Sequence, residues 1–275
     1  MIDQHSLINW KKYAPWPSEV QVEQDLIISR ALIEIFNHPL LSEELSLRGG
    51  ACMQRCFFNQ PLRYSEDIDL VQNYSKPIGS VFNAIRQVLD PWLGEPKRKI
   101  GEGRATLTYT CIASDPNHTK LKLKIEINTR EHYNFLGLIK KNVAVETLWF
   151  TGSTDVTTYC GEEILGTKLR ALYQRNKSRD LYDLARALEF LSLNPQKIIF
   201  CFQRYMDAMN LRVSRAEFEK NLYEKKNLIS FEKDIIPLLP NGRCSYNFSD
   251  DFFLVMSKII ALLPGEPWSC SQTNL

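Results

Sequence analysis

Hydrophobic residues follow two rhythms along this chain, and the change of rhythm divides it. Ser18-Glu19-Val20-Gln21 forms an S-x-x-Q capping box, and the helical spacing behind it runs to about Phe36, where Asn37, His38 and Pro39 end it. Leu45 to Arg48 reads as a short strand closing on Gly49-Gly50, and Ala51 to Phe58 as a helix broken by Gln60-Pro61. A strand is predicted from Asp67 to about Gln72, then a helix from Ile78 to Leu93 interrupted by Pro91. Arg104 to Ala113 and Lys120 to Thr129 alternate with period two and are joined by the turn-rich SDPNHT; Val143 to Phe150 reads as one more strand. From Gly161 onward helical periods take over: Glu162 to Arg175, Arg179 to Leu191, Pro195 to Met209, Ser214 to Lys225 and Asp251 to Leu263. The expected class is α+β, a mixed sheet with flanking helices in residues 1–155 followed by a helical lobe in 156–275.

Composition narrows the class without naming a chemistry. With 275 residues, 44% hydrophobic and 24% charged, the chain can bury a full core, as one large domain or two small ones. The N-terminus lacks an apolar signal core, and no run approaches about 18 uninterrupted apolar residues, so a cytoplasmic protein without a membrane segment is expected. Seven cysteines without a CxxC pair point to reduced thiols, and four scattered histidines argue against zinc. A net charge of +2 does not by itself indicate nucleic acid, but Gly161 to Ser230 holds 13 Lys/Arg against 9 Asp/Glu.

The stretch RYSEDIDL, residues 63–70, holds the candidate chemistry. On a strand, Asp67 and Asp69 project to one face while Ile68 and Leu70 face the core. Neighbouring carboxylates repel unless a cation lies between them, and oxygen ligands suit Mg²⁺. A D-x-D pair alone is more often a solvated strand face. In KLKLKIEIN, however, Glu126 is the one carboxylate on the polar face, and a strand placed beside Asp67 would make it a third ligand. The plain alternative is an exposed Lys–Glu ladder. Upstream, Gly49-Gly50 between a strand and a helix lets backbone N–H groups approach a phosphate.

The run RGGACMQRCFFNQPLRYSEDIDL resembles the first motif of the AbiEii-type nucleotidyltransferases, the toxin halves of type IV toxin–antitoxin systems on a polymerase-β-like fold. EEILGTKLRALYQRNKSRDLYDLARAL resembles the family's later Lys and R-D-x-x-D helical pair. Arg48 stands where the family usually has Lys, and Ala51 where it has a hydroxyl residue. The resemblance implies an NTP substrate and two Mg²⁺ held by Asp67, Asp69 and Glu126, with Glu126 as the expected base. It implies Gly49 and Gly50 beside the triphosphate and catalytic Lys168 and Asp180. Arg63 and Ser65 of the first motif are further candidates at the substrate, as are Arg175 and Arg179 of the basic loop RNKSR, which is otherwise a polar connection. An RNA acceptor such as a tRNA 3′ end and an antitoxin encoded nearby are the implied partners. A protein or small-molecule acceptor, or a nucleotide-binding module without catalysis, are the competing readings.

On their own terms these later residues admit other roles. Lys168 lies on the apolar stripe of its helix, where a lysine either snorkels outward or sits over an anion; a triphosphate contact is favoured. Ser178 is a candidate N-cap, placing Asp180 in a first turn that stabilises an acid anyway. Gly101-Glu102-Gly103 reads as a hairpin turn, and DDFFLVMSKII as core packing.

Overall fold

The computed structural model describes residues 2–240 and 246–269. By internal contacts the chain forms two units, one of residues 1–159 with 238–243 and one of residues 160–237 with 244–275. The sequence reading places this border at 155.

The first unit begins with α1 (Gln4–Trp10), α2 (Glu19–Asn37) and α3 (Pro39–Glu44). The Ser18–Gln21 capping box is formed in both directions, so α2 starts where the sequence places it. His38-Pro39 ends α2 but also opens α3, because proline at the first helical position needs no donor. Then follow β1 (Leu45–Arg48), α4 (Gly49–Cys56), β2 (Asp67–Gln72), α5 (Gly79–Leu93), β3 (Lys97–Gly101), β4 (Arg104–Ile112), β5 (Lys120–Asn128), β6 (Leu138–Glu146) and β7 (Thr151–Tyr159).

The seven strands form one mixed sheet in the order β3-β4-β5-β2-β1-β7-β6. Strands β2 and β5 run parallel, as do β1 and β7; the other neighbours are antiparallel. One face of β4 and β5 buries Ala105, Leu107, Tyr109, Leu123, Ile125 and Ile127. Helix α5 lies on this face, where the Tyr109 hydroxyl donates to Asp90 Oδ1 at 2.9 Å. Fully burying each such aliphatic side chain stabilises the fold by about 1.5–3 kcal/mol.

Helices α1 and α3 and strands β3 and β7 are not predicted by the sequence, and two predicted elements run differently. Helix α5 runs through Pro91 to Leu93 and stops at Gly94, φ +76°. Proline there removes one bond in the last turn, and Asp90 anchors that turn by accepting from Arg86 Nε at 2.9 Å as well as from Tyr109. The expected strand over Val143 to Phe150 covers only the end of β6, since Thr147 to Phe150 is the turn into β7.

The second unit is helical: α6 (Gly161–Gln174), α7 (Ser178–Phe190), α8 (Pro195–Asp207), α9 (Arg215–Lys226), α10 (Ile229–Lys233) and α11 (Phe248–Lys258). Its core includes Phe202, Tyr205, Phe218, Phe231 and Phe252. Phe252, Val255, Ile259 and Ile260 are buried as expected for DDFFLVMSKII, while Phe253 is exposed. Among the described residues, Cys52, Cys56, Cys111, Cys160 and Cys201 are free thiols, and no helix is long and apolar enough to cross a membrane.

Candidate active site

Strand β2 carries Asp67 and Asp69 on one face while Ile68 and Leu70 are buried on the other. Its parallel neighbour β5 sets Lys124 opposite Asp67 and Glu126 opposite Asp69. On the other side, Arg48 of β1 lies opposite Asp69. Register partners on adjacent strands project to the same face about 4.8 Å apart, so the two aspartates and Glu126 share one surface.

Asp69 and Gly49 are in intimate contact. Gly49 has φ +78°, and a Cβ on it would come within 2.0 Å of Asp69 Oδ2. Only glycine satisfies both conditions. A Cβ on Gly50 would lie 2.7 Å from Arg63 Nη2 and 2.7 Å from Ser65 Oγ. The R-x-S of RYSEDIDL therefore packs around the Gly-Gly turn that opens α4. Arg63 is only 2% exposed and its Nη1 donates to the Tyr64 carbonyl at 2.9 Å, which braces the turn rather than presenting the guanidinium to solvent. Gln54 of α4 accepts from Leu62 N at 2.7 Å and Arg63 N at 3.2 Å, and Tyr64 N donates to Leu238 O at 2.7 Å.

The electrostatics of the three acids differ. Burial, reinforced by the charge of Asp69, pushes the Asp67 carboxyl up to about 6, with Lys124 opposing the rise. Burial also works against the charge of Glu126, but hydrogen bonds from Lys124 and Arg104 outweigh it and hold its carboxyl below the usual glutamate range. Arg104 Nη1 lies 3.0 Å from Glu126 Oε1, and Lys124 pairs with Oε2. Arg48 Nη1 is 2.5 Å from Glu131 Oε2.

The donor set suits a hard, oxygen-ligated cation: two aspartates on one face, one with a raised pKa, beside a glycine turn at a helix N-terminus. Among the described residues, no three His, Cys, Asp or Glu side chains are gathered closely enough to hold a metal as they stand. The Glu126 carboxylate is engaged by Arg104 and Lys124. These two cations are the residues that the sequence reading missed. Lys124 is two positions from Glu126 on the same strand face, so the signal was the Lys–Glu ladder itself.

The later motif lies in the helical unit. Lys168 is 5% exposed and its Nζ lies 3.2 Å from Asp180 Oδ1 and 2.9 Å from Asp183 Oδ2. It neither snorkels nor stands over an open anion site, because two buried carboxylates claim it. Arg175 grips Asp180 with two bonds, Nε to Oδ2 at 2.7 Å and Nη2 to Oδ1 at 2.9 Å. Burial of Asp180 disfavours its charge, yet Lys168 and Arg175 together lower its pKa. Lys177 pairs with Asp234 at 2.8 Å, and Arg179 Nε approaches Asp234 Oδ2 at 3.9 Å. Ser178 does not cap α7: Lys177 occupies the N-cap, without a side-chain bond, and Ser178 is the first helical residue. Asp180 does fall in the first turn.

The Glu102-Gly103 hairpin turn is formed as expected, with Gly101 paired to Arg104 and Gly103 at φ +69°. Its place is the β3–β4 connection.

Comparison with known proteins bears on the fold and the family. Among solved structures, the chain is similar to MenT4, a nucleotidyltransferase toxin from Mycobacterium tuberculosis, with TM-score 0.63 and 13% identity over 94% of this chain and 90% of that one. At that identity the likeness shows the fold. An antigenic nucleotidyltransferase-like protein from Paracoccidioides brasiliensis matches at TM-score 0.40 and 17% identity, covering 66% of this chain and 88% of that one, too low a score to carry an argument. No curated protein sequence matches significantly. The family model described as nucleotidyl transferase AbiEii toxin, type IV TA system, matches residues 30–244, a span that takes in the Gly49-Gly50 turn, both aspartates, Glu126 and the Lys168–Asp180 pair. The chain belongs to the AbiEii nucleotidyltransferase toxin family of type IV toxin–antitoxin systems.

Proposed function

We propose that the chain transfers a nucleoside monophosphate from an NTP to an acceptor hydroxyl at the Asp67–Asp69 face, and that the acceptor is an RNA end, such as the 3′ end of a tRNA. The observation that carries this reading is the register that sets Asp69 beside Glu126 with its carboxylate against Gly49. Asp67, Asp69 and Glu126 would hold divalent cations, two Mg²⁺ in this reading. Such ions lower the pKa of an attacking hydroxyl and offset charge on the pyrophosphate that leaves.

The chain's own groups have distinct parts. Asp67 and Asp69 orient the reacting groups from one strand face. Backbone N–H groups at Gly49 and Gly50 favour the triphosphate, because the first turn of α4 leaves donors unpaired and carries a partial positive charge. Arg63 and Ser65 keep that turn in shape from behind Gly50. Glu126 stays ionised at neutral pH, which suits a ligand and makes it a poor base, contrary to the expectation from the family resemblance. In the helical unit, Lys168 and Asp180 act first on each other, and a contact of Lys168 with a triphosphate would have to replace Asp180 or Asp183. Arg175 and Arg179 would likewise exchange carboxylate partners for phosphate.

Family membership implies a cognate antitoxin, and toxicity through modification of RNA is part of this proposal. Asp67→Ala and Asp69→Ala should each abolish incorporation of labelled nucleotide into cellular RNA while leaving the circular-dichroism spectrum unchanged. Retained incorporation in both variants would exclude the site. Label arriving in the protein or small-molecule fraction would replace the RNA acceptor with another.

A further inference from the structure

We infer that the open face of β5, β4 and β3 is a track for the phosphate backbone of a single-stranded nucleic acid whose end reaches Asp67 and Asp69. This rests on the nucleotidyl-transfer reading for the identity of the end, and on the sheet register for the track. Asp67 pairs in register with Lys124; Thr106, Thr108 and Thr110 of β4 pair with Glu126, Lys124 and Lys122; Lys97 and Lys99 of β3 pair with Thr108 and Thr106. All these side chains therefore share the face that carries the aspartates. On β4 and β5 the opposite face is buried beneath α5 and α2, while β3 is exposed on both faces.

The charge on this surface is one-sided. Lys97, Lys99, Arg104, Lys120, Lys122 and Lys124 stand on it, against Glu126 alone within the three strands. The whole chain is nearly neutral at +2, so this concentration is a local feature rather than a general excess. Lys97, Lys99, Lys120 and Lys122 are exposed and have no ion-pair partner among the described residues. Glu102, at the hairpin tip, is engaged by Arg130 at 2.5 Å.

A simpler role exists for part of the pattern. Lysines on an edge strand discourage edge-to-edge pairing, and β3 is such a strand. Lys120 and Lys122 pair with Ile112 and Thr110 of β4 alone, since β2 begins opposite Lys124, so an edge role is open to them too and the RNA titration below separates the two roles. Three strand spacings, about 14 Å, separate β2 from β3, enough for a few nucleotides to trail from the site. The face carries no aromatic side chain on these strands, only Lys, Arg, Thr, Glu, Asn, Gly and Ile112. Binding here comes from phosphate contacts rather than base stacking, and is indifferent to sequence.

The test is fluorescence anisotropy of a short labelled single-stranded RNA of mixed sequence across a NaCl series. The variant replaces Lys97, Lys99, Lys120 and Lys122 by Gln, leaving Lys124 and Arg104 on Glu126. Its affinity should fall about tenfold or more and its log–log salt slope should flatten by about 3, since each neutralised phosphate on a single strand contributes about 0.7. Its melting temperature and NTP binding should match the wild type. Lys197→Gln with Lys220→Gln, on α8 and α9, should leave RNA affinity unchanged. An unaltered affinity and slope in the four-lysine variant would overturn the inference, as would lost binding of polyglutamate with RNA binding intact, which would make this a face for an acidic protein. Loss of RNA binding in this variant, combined with wild-type transfer that survives Asp67→Ala, would refute the proposed active site and leave the track standing.

Discussion

At Gly49 a single hydrogen in place of a side chain decides whether the site exists. Alanine there would adopt an unfavourable φ, costing about 1–2 kcal/mol, and its methyl would strike the Asp69 carboxylate. Gly49→Ala should lower the melting temperature modestly and remove nucleotide transfer almost entirely; transfer near the wild-type rate would show that Asp69 is not held against the turn. Lys168 illustrates a different residue-scale effect. Lys168→Met leaves Asp183 without this cation and Asp180 with only Arg175, and breaking a buried pair in this way costs about 3–5 kcal/mol. The pH dependence follows from the sign of the Asp180 shift. A folded-state pKa below the unfolded value adds stability that is present at neutral pH and lost as pH falls through the folded value. Denaturation of the wild type followed against pH should therefore show stability falling at acid pH, below about 4, and the Met variant should lose less there, because Arg175 alone then holds the Asp180 carboxyl down. A melting temperature unchanged by Lys168→Met would contradict the burial of this network.

At the scale of elements, what the sequence made legible follows from how each segment meets the core. Strands β4 and β5, and β2 as far as Leu70, alternate apolar and polar residues because one face is buried and the other open, so period two survives in the sequence. Strand β7 escapes that rule. Its interior positions include Thr154 and Thr158 rather than large apolar residues, and Thr158 Oγ1 donates to Leu47 O at 2.8 Å while lying 2.9 Å from Cys52 Sγ. Hydrogen bonding inside the sheet stands in for hydrophobicity, and no alternation marks it. Strand β3 is exposed along its whole length, so burial leaves no trace on it either. The candidate site was readable to the extent that it sits on regular strands: D-x-D and Glu126 project by pleat, whereas the grip of Arg104 on Glu126 depends on a cross-strand neighbour. Thr158→Val keeps the shape and removes the bond to Leu47, and should cost about 1–3 kcal/mol in a denaturant titration. A neutral effect would mean that the hydroxyl is not what holds β1 to β7.

For the whole molecule, the chain divides its chemistry between a sheet unit in which burial and Asp69 push Asp67 up and a helical unit in which Lys168 and Arg175 hold Asp180 ionised. Arg104 and Lys124 already offset the charge of Glu126, and in the proposed function divalent cations offset the crowding of Asp67 against Asp69. Titration of the intact protein with Mn²⁺, followed by the loss of its free-ion EPR signal, tests this most directly. Wild type should take up the ion, more weakly as pH falls below about 6, because a proton on Asp67 must then be displaced. Asp67→Asn and Asp69→Asn should each abolish that uptake. Equal uptake by wild type and both variants, with no dependence on pH, would contradict the account.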